Sequence, residues 1–291
     1  MSAAAEPSVA TDLHGHTYAS DGAQTVEQLV ARRAEHGRAV FAVSEHDHFA
    51  CSLAAARLAQ AHGLTAVPAA EVTSVLHFGT ERAEQIHILA YFPPSWVTDG
   101  RLARTALFRR GQEVQARWRD FVVGWLDSLP AEDREVIGHG GRLAALPPAA
   151  FPALQTTLEL VNATCPDQFD AFRRHHVRFW LDDAALFAWT PEEVIDAIRG
   201  DGGKDVVAHP VRYKDKDRLE QILDYAWGIE AYTSRHNPRV AERFRARAEA
   251  RGQRWTASTD DHGHAEYVPP PEGTPLSTVQ AILQGPVPGH E

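Results

Sequence analysis

The sequence predicts an α/β fold carrying a helical insertion. Three observations lead there. Short β-type runs alternate with helically spaced segments as far as Phe92, the alternation stops near Asp99, and it resumes at Thr190. Alternation of this kind predicts a parallel sheet with helices packed outside it.

Each element follows from local chemistry. Val9 to Leu13 reads as a strand. Thr25 then opens a helix, because Thr25-Val26-Glu27-Gln28 is a capping box and Val26, Leu29, Val30 and Arg33 keep helical spacing up to Gly37. Ala39 to Ser44 is a second strand, Ser52 to His62 a second helix, Leu64 to Val67 a third strand, and Gln85 to Phe92 a fourth closed by Pro93-Pro94. From Asp99 the pattern is helical, with Trp118, Phe121, Val122, Trp125 and Leu126 on one face as core until Pro130 stops it. A Gly/Pro-broken stretch, Gly138 to Pro152, precedes a further helical segment that includes Ala171 to Trp180. Thr190-Pro191-Glu192-Glu193 is a second capping signal, with Pro at the first helical position. Strands follow at Asp205 to Ala208 and Gly228 to Tyr232, a helix runs from Asn237-Pro238 to about Arg251, and Trp255 to Ser258 is the last strand. A short helix around Ser277 to Leu283 interrupts a proline-rich tail. The expected organisation is one body from residues 1–98 and 190–291, with 99–189 as an insertion.

Composition narrows the function. Of 291 residues, 44% are apolar and 23% charged, an ordinary globular balance. Asp and Glu number 39 against 29 Lys and Arg, for a formal net charge of -10. That surplus disfavours binding to long nucleic acid, which wants a basic face, but leaves room for a local anion pocket. Cys51 and Cys165 cannot build a disulfide framework, and neither adjoins a catalytic base. The N-terminus has no basic and apolar leader pattern, and no run of about 18 apolar residues occurs. The expectation is a cytoplasmic protein that does not span a membrane.

Histidine carries the chemistry. His14 and His16, two apart on an extended segment, point to one face and can share a metal without bending the chain. Asp21 follows just before Gly22, where a turn can bring a carboxylate back. Glu45-His46-Asp47 ends a strand, as does Glu71. His87 lies between Ile86 and Ile88, His209 follows Val206-Val207-Ala208, and Asp260 and His262 repeat the two-residue spacing. Most of these groups fall at strand C-termini, where α/β barrels gather their sites. Imidazoles and carboxylates converging there would desolvate badly unless cations filled the space.

In order along the chain, Asp12-Leu13-His14-Gly15-His16-Thr17 with Ser20-Asp21-Gly22, Glu45-His46-Asp47, Glu71-Val72-Thr73, Ile86-His87-Ile88-Leu89, Ala208-His209-Pro210, Gly228-Ile229-Glu230 and Thr259-Asp260-Asp261-His262 resemble the motifs of the PHP (polymerase and histidinol phosphatase) phosphoesterases. The resemblance covers everything outside the insertion. It is nearest the stand-alone branch of nucleotide and nucleoside 3',5'-bisphosphate phosphatases and 5'-3' exoribonucleases. It implies a distorted (β/α)7 barrel, TIM-like, with the insertion capping its mouth, and three divalent metals. His14, His16, Glu71 and Asp260 would hold the first metal, Glu71 would bridge to a second held by His87 and His209, and Asp21, His46 and His262 would hold the third. Six imidazoles among nine ligands suit Mn2+ best, or Fe2+ or Zn2+, rather than Mg2+. A water bridging two metals would attack phosphorus, with Asp21, His46 and His209 at the reacting centre. Asp47 would orient His46 from behind if the ring faces it, although it also suits a plain turn. Glu45, where relatives commonly carry Asp, would perturb the surroundings without removing a ligand.

Substrate contacts are read from charge and position. Arg173, Arg174, His175, His176 and Arg178 form a basic run that would meet phosphate, although such runs also serve as solvated helix faces. Arg212 and Tyr213 directly follow a ligand, and Arg235 and His236 sit in a loop after Glu230. The expected activity is removal of a phosphate from a small metabolite, a nucleotide or nucleoside 3',5'-bisphosphate being favoured. The alternatives are a diesterase on a cyclic phosphate or short RNA, a histidinol-phosphate phosphatase, an amidohydrolase on a similar barrel and a non-catalytic module of the same fold.

Overall fold

The computed structural model describes residues 6–137 and 161–284, and the side chains of Arg173, His175 and Val177 lie outside the described set. Seven strands form one sheet in the order β2 (Thr11–Asp12), β3 (Val40–His46), β4 (Thr65–Leu76), β5 (Glu84–Tyr91), β6 (Lys204–Val207), β7 (Gly228–Tyr232) and β8 (Arg254–Ala257). The sheet curls nearly into a barrel. β2 and β8 form no ladder, but Thr11 Oγ1 donates to the Ala257 carbonyl at 3.0 Å. Beyond the strand ends, His16 N donates to Asp261 O at 2.9 Å and Asp260 N to His14 O at 3.1 Å. The barrel is thus sealed at the end that carries the histidines.

Both capping boxes form: Thr25 with Gln28 opens the helix Val26–Glu35, and Thr190 with Glu193 opens Pro191–Gly200. The helices Ser52–Ala61, Lys216–Tyr225 and Pro238–Ala250 complete the outer layer. Leu13, Ala42, Val67, Leu89, Tyr91 and Val206 fill the barrel interior, and Val279 and Ile282 of the C-terminal helix Leu276–Gln284 pack against them.

The sheet is mixed where the sequence predicts a parallel one. β5 runs antiparallel to both β4 and β6. The connection from Leu76 to Glu84 is too short for a crossover, which takes a dozen or more residues, so β4 and β5 form a hairpin. β4 is also much longer than Leu64 to Val67. Its outer part, Thr73 to Leu76, pairs with β5 alone. The strand β8 is not the last: β9 (Thr274–Pro275) pairs antiparallel with β1 (Ser8–Val9) in a separate ribbon.

Between β5 and β6 the described chain is helical, with long helices at Ala106–Asp127 and Pro166–Asp182. Trp118, Val122, Trp125, Phe172, Phe179 and Phe187 form a cluster of their own there. The stretch Gly138 to Pro152 lies outside the described residues. Among the described residues no helix is long and apolar enough to cross a membrane.

Candidate metal centre

The first loop is shaped by two glycines. A Cβ on Gly15 would stand 2.7 Å from Arg33 Nη2, and one on Gly22 would stand 2.6 Å from the carbonyl of His16. Gly22 lies so close because Ser20 N and Gly22 N both donate to Thr17 O, folding the chain back on itself. The fold returns Asp21 to the His16 ring, with Oδ1 3.5 Å from Nδ1. Glu45 clamps this loop from below. It accepts from Thr17 N at 3.2 Å and from the hydroxyls of Thr17 and Ser20.

The remaining side chains arrive from the other strands. His46 ends β3 and pairs in register with Glu71 of β4. Because β5 is antiparallel, its N-terminal half lies at the mouth, which brings in His87 opposite Thr73. After β6 and β8 the backbone turns left-handed at His209 (φ 29°) and Asp260 (φ 57°). Such positions cost about 1–3 kcal/mol each in a non-glycine residue and cluster where function needs them.

The structure brings all nine side chains singled out by the resemblance into one nest. His14 Nε2 and His16 Nε2 lie 3.1 Å apart, and each is 3.4 Å from Asp260 Oδ1. The two Glu71 oxygens stand 3.4 Å from His14 Nε2 and 3.3 Å from His16 Nε2. His87 Nδ1 and His209 Nε2 both meet Glu71 Oε1 at 2.9 Å. His46 Nε2 and His262 Nε2 each lie 3.2 Å from Asp21 Oδ2, while His46 Nδ1 is 3.2 Å from Glu71 Oε2. His46 therefore stands between two of the groups. The most compact constellations are His14, His16 and Glu71; His16, Asp21, His46 and His262; and His46, Glu71 and His87.

This geometry fits metal ions. Donor atoms at about 2.1 Å from one ion, separated by tetrahedral or octahedral angles, stand about 3.0–3.4 Å apart. That is the spacing found here. Asp21 Oδ1 is also buried with no hydrogen-bond donor, a costly state for a carboxylate unless a cation faces it.

No family model matches the chain. Several curated relatives do. It is 27% identical over 281 residues to phosphoribosyl 1,2-cyclic phosphate 1,2-diphosphodiesterase of Eggerthella lenta, covering 89% of this chain and 96% of that protein. It is 25% identical over 285 residues to 3',5'-nucleoside bisphosphate phosphatase of Chromobacterium violaceum, covering 89% and 92%. It is 30% identical over 228 residues to 5'-3' exoribonuclease Rnm of Salmonella typhimurium, covering 69% and 66%. The fold is shared with a crystal structure described as a metal-dependent phosphoesterase from Bifidobacterium adolescentis, with a TM-score of 0.67 over 96% of this chain and 97% of that one at 21% identity. The chain is a PHP-type phosphoesterase. It is a hydrolase of this type, and the His, Asp and Glu clusters of the nest support metal dependence.

Behind the nest of this PHP-type phosphoesterase lies a second layer of polar groups. Glu230, in the middle of β7, accepts from His14 Nδ1 at 2.9 Å, from His209 N at 2.6 Å and from Ser258 Oγ at 2.8 Å. Its motif stands among those that carry the resemblance, but sequence reading gives this carboxylate no role. The signal was a single carboxylate in the otherwise apolar strand Gly-Ile-Glu-Ala-Tyr, fully buried. Asp12 likewise takes Thr259 N and Oγ1, both at 2.8 Å, and so sets the turn before Asp260.

Asp47 does not face the His46 ring. Its backbone is left-handed (φ 61°), and its carboxylate turns to Thr73 N at 2.9 Å, Thr73 Oγ1 at 2.7 Å and Arg110 Nη1 at 2.6 Å. It orients β4 near Glu71 rather than the imidazole.

Electrostatics in the nest are dominated by pairing. Burial works against a charged His14, yet the carboxylates of Glu71, Glu230 and Asp260 raise its pKa well above the ordinary imidazole value. Burial is also outweighed at His16, where Asp21, Asp260 and Glu71 push it up to about 10. Despite burial, Glu71 is held well below the usual carboxylate range by His87, His14 and His46, and Asp21 by His46, His16 and His262. Burial instead lowers the pKa of His87, so without metal the raised imidazoles of His14 and His16 hold protons that metal uptake must displace.

A cavity of about 340 Å³ opens over the nest, lined also by Gln85, His176, Trp180, Arg212 and Arg235. The substrate residues expected from sequence divide sharply. Arg212 and His176 reach this cavity, as does Arg235, whose Nε donates to Asp260 Oδ2 at 2.7 Å. Tyr213 is buried, and its hydroxyl accepts from His87 N at 2.8 Å, so it braces a ligand strand rather than meeting substrate. His236 faces away, bonded to Ala231 O at 2.8 Å and stacked on Phe244. Arg178 pairs with Asp182 on an exposed face, and Arg174 is exposed and does not line the cavity. The side chains of Arg173 and His175 are outside the described residues. Trp180, which sequence reading assigned no role, joins His176 in the cavity wall.

Proposed function

We propose that this phosphoesterase removes a terminal phosphate from a small metabolite, a nucleoside 3',5'-bisphosphate or related nucleotide being the favoured substrate. The observation that carries the reading is the convergence of seven of the nine ligand-type side chains with two guanidiniums, Arg212 and Arg235, on one small cavity, the buried His14 and His16 lying against Glu71 and Asp260. In this reading three divalent ions, Mn2+ for preference, occupy the nest. His14, His16, Glu71 and Asp260 would hold one, Glu71, His87 and His209 a second, and Asp21, His46 and His262 a third. Metals there would acidify a water toward neutral pH and take up negative charge developing on the phosphate and leaving oxygens.

The chain itself supplies the rest. Three carboxylates offset only half the charge of three divalent ions, so the nest attracts a phosphate dianion. Arg212 and Arg235 would hold its outer oxygens by paired N–H donors. Glu230 keeps the Nε2 atom of His14 as its metal-facing nitrogen by accepting the Nδ1 proton. His176 and Trp180 of the insertion border the cavity and would limit water around the reacting phosphate.

Support for the substrate class comes from the 25% identity to a bisphosphate phosphatase over most of both chains. A second reading, hydrolysis of a cyclic phosphate diester, is favoured by the 27% identity to a cyclic-phosphate diphosphodiesterase. The test is phosphate release by Mn2+-loaded protein from nucleoside monophosphates, 3',5'-bisphosphates, a cyclic phosphate, a short 5'-phosphorylated RNA and histidinol phosphate. Release from the bisphosphates, lost in Asp21→Asn, is the expected result. Release from none of them by metal-replete protein would overturn the reading.

A further inference from the structure

The metal cavity does not end at the nest. A second chamber of about 720 Å³ adjoins it, and the two share a wall of Gln85, His87, His209 and Arg212. The outer sides of the second chamber are the β4–β5 hairpin loop and the segment that follows β6. A volume of this order accommodates a nucleoside with its substituents, far more than a phosphate needs.

The charges lining the chamber are mostly spoken for. Glu84 accepts from the main-chain N–H groups of Lys214 and Asp215, at 2.6 and 3.2 Å, and so ties the two sides together. Asp215 caps the helix Lys216–Tyr225 and takes His77 Nε2 at 3.0 Å and Arg82 Nη2 at 3.4 Å. Lys216 donates to the carbonyls of Val211 and Tyr213. What remains is Arg212 and Lys214, whose cationic groups have no partner among the described residues, and Glu81 at the rim, which has none either. Arg82 keeps only its long contact to Asp215 and is 74% exposed.

We infer that this chamber is a leaving-group subsite for a compact nucleoside carrying a second anionic group, bound by Lys214 and Arg82 while the scissile phosphate lies in the nest. The inference rests on the phosphomonoesterase reading above and adds the place and the residues of the second anion. Arg212 stands in the shared wall, where it contacts either phosphate. The carboxylate of Glu81 at the rim repels anionic groups that extend past the chamber, as those of a polyphosphate or a continued nucleic acid strand would.

The experiment compares a nucleoside 3',5'-bisphosphate with its 3'- and 5'-monophosphates, in the Mn2+-loaded wild type and in Lys214→Gln, Arg82→Gln and the double variant. In the wild type kcat/KM for the bisphosphate should exceed that for the better monophosphate by about tenfold or more, the scale of a charge-assisted contact. In the double variant this ratio should fall to within about twofold, with activity on the monophosphate unchanged. A wild type without preference, or a ratio that survives the double substitution, would sink the subsite alone. An equal loss on all three substrates would also overturn it, because that signals damage to the site. If the wild type releases phosphate from none of the three, the phosphomonoesterase reading itself fails, and the subsite with it.

Discussion

Asp47 and Arg110 form a buried ion pair, 2.6 Å from Oδ1 to Nη1, between the turn that follows His46 and the helix Ala106–Asp127. The guanidinium also donates to Leu186 O at 2.9 Å and lies over the Trp189 ring at 4.9 Å. Next to it, a Cβ on Gly111 would stand 2.7 Å from Asp47 O, so helix and turn are in direct backbone contact. One carboxylate thus joins β4, the His46 turn and the helical segment between β5 and β6.

Removing one member of this pair is expected to be costly. Arg110→Met leaves Asp47 charged and buried, which should destabilise the fold by about 3–5 kcal/mol. Urea unfolding measures it. Asp47→Asn combined with Arg110→Met should recover part of the loss, and a double variant no more stable than Arg110→Met would contradict the pairing.

Glu230→Gln should weaken metal binding and not the fold. His14 Nδ1 and His209 N would lose their carboxylate acceptor, and changes of this kind cost about 10–100-fold in metal affinity or activity. Metal content after dialysis against limiting chelator, read beside an unfolding curve, separates the two effects. Wild-type metal retention would refute the assignment.

The protein stripped of metal should respond to pH in a definite direction. His16 is raised to about 10 against an unfolded value near 6.5. Its contribution to stability is fully present below about pH 6.5 and is lost as pH rises through about 10. Asp21 and Glu71 shift the opposite way, so their contribution is present above the ordinary carboxylate pKa and is lost on acidification. The melting temperature of the chelated protein should therefore decline from neutral pH toward pH 10, and metal-loaded protein should decline less because the cations replace those protons. Parallel curves for the two forms would count against this.

Gly15→Ala should destabilise through Arg33. The added methyl would press on Nη2 of a buried guanidinium that bridges Asp12 at 3.0 Å and Asp261 at 2.7 Å. A cost of about 1–3 kcal/mol is expected, the scale of overpacking, as a shift in the urea midpoint. A midpoint unchanged from wild type would mean that Arg33 moves freely.

Much of this was legible in sequence where one residue decides a local outcome. Thr25 with Gln28 and Thr190 with Glu193 marked helix starts because a capping box satisfies its donors within four residues. The histidine pairs were legible because two-residue spacing sets a shared face on an extended chain. What escaped was non-local. Between Leu76 and Glu84 only Gly79 and the missing helix pattern hinted that β5 would reverse. Asp47 read as a partner for its neighbour His46, whereas its left-handed backbone sends it to Thr73 and to Arg110, far along the chain. Glu230 could be seen as a lone carboxylate in an apolar strand, but the atom it serves, His14 Nδ1, lies at the other end of the sequence. Tyr213 stands out in sequence because it follows a ligand and His236 because it sits in a loop after Glu230, but the first braces β5 through His87 N and the second packs on Phe244.

The pairing of β5 with β6 has a consequence for how the molecule tolerates change. Tyr91 and Lys204 are neighbours across that ladder, although the whole helical segment intervenes between them in sequence. The entropy of closing such a loop grows only with the logarithm of its length, about 0.6 kcal/mol for each doubling. Loop closure therefore adds little to the cost of lengthening or exchanging the segment, as long as Arg110 still meets Asp47 and the helix Pro191–Gly200 keeps its place on the sheet. The same metal nest can be offered to differently shaped molecules by rewriting one stretch of chain while the catalytic strands keep their register.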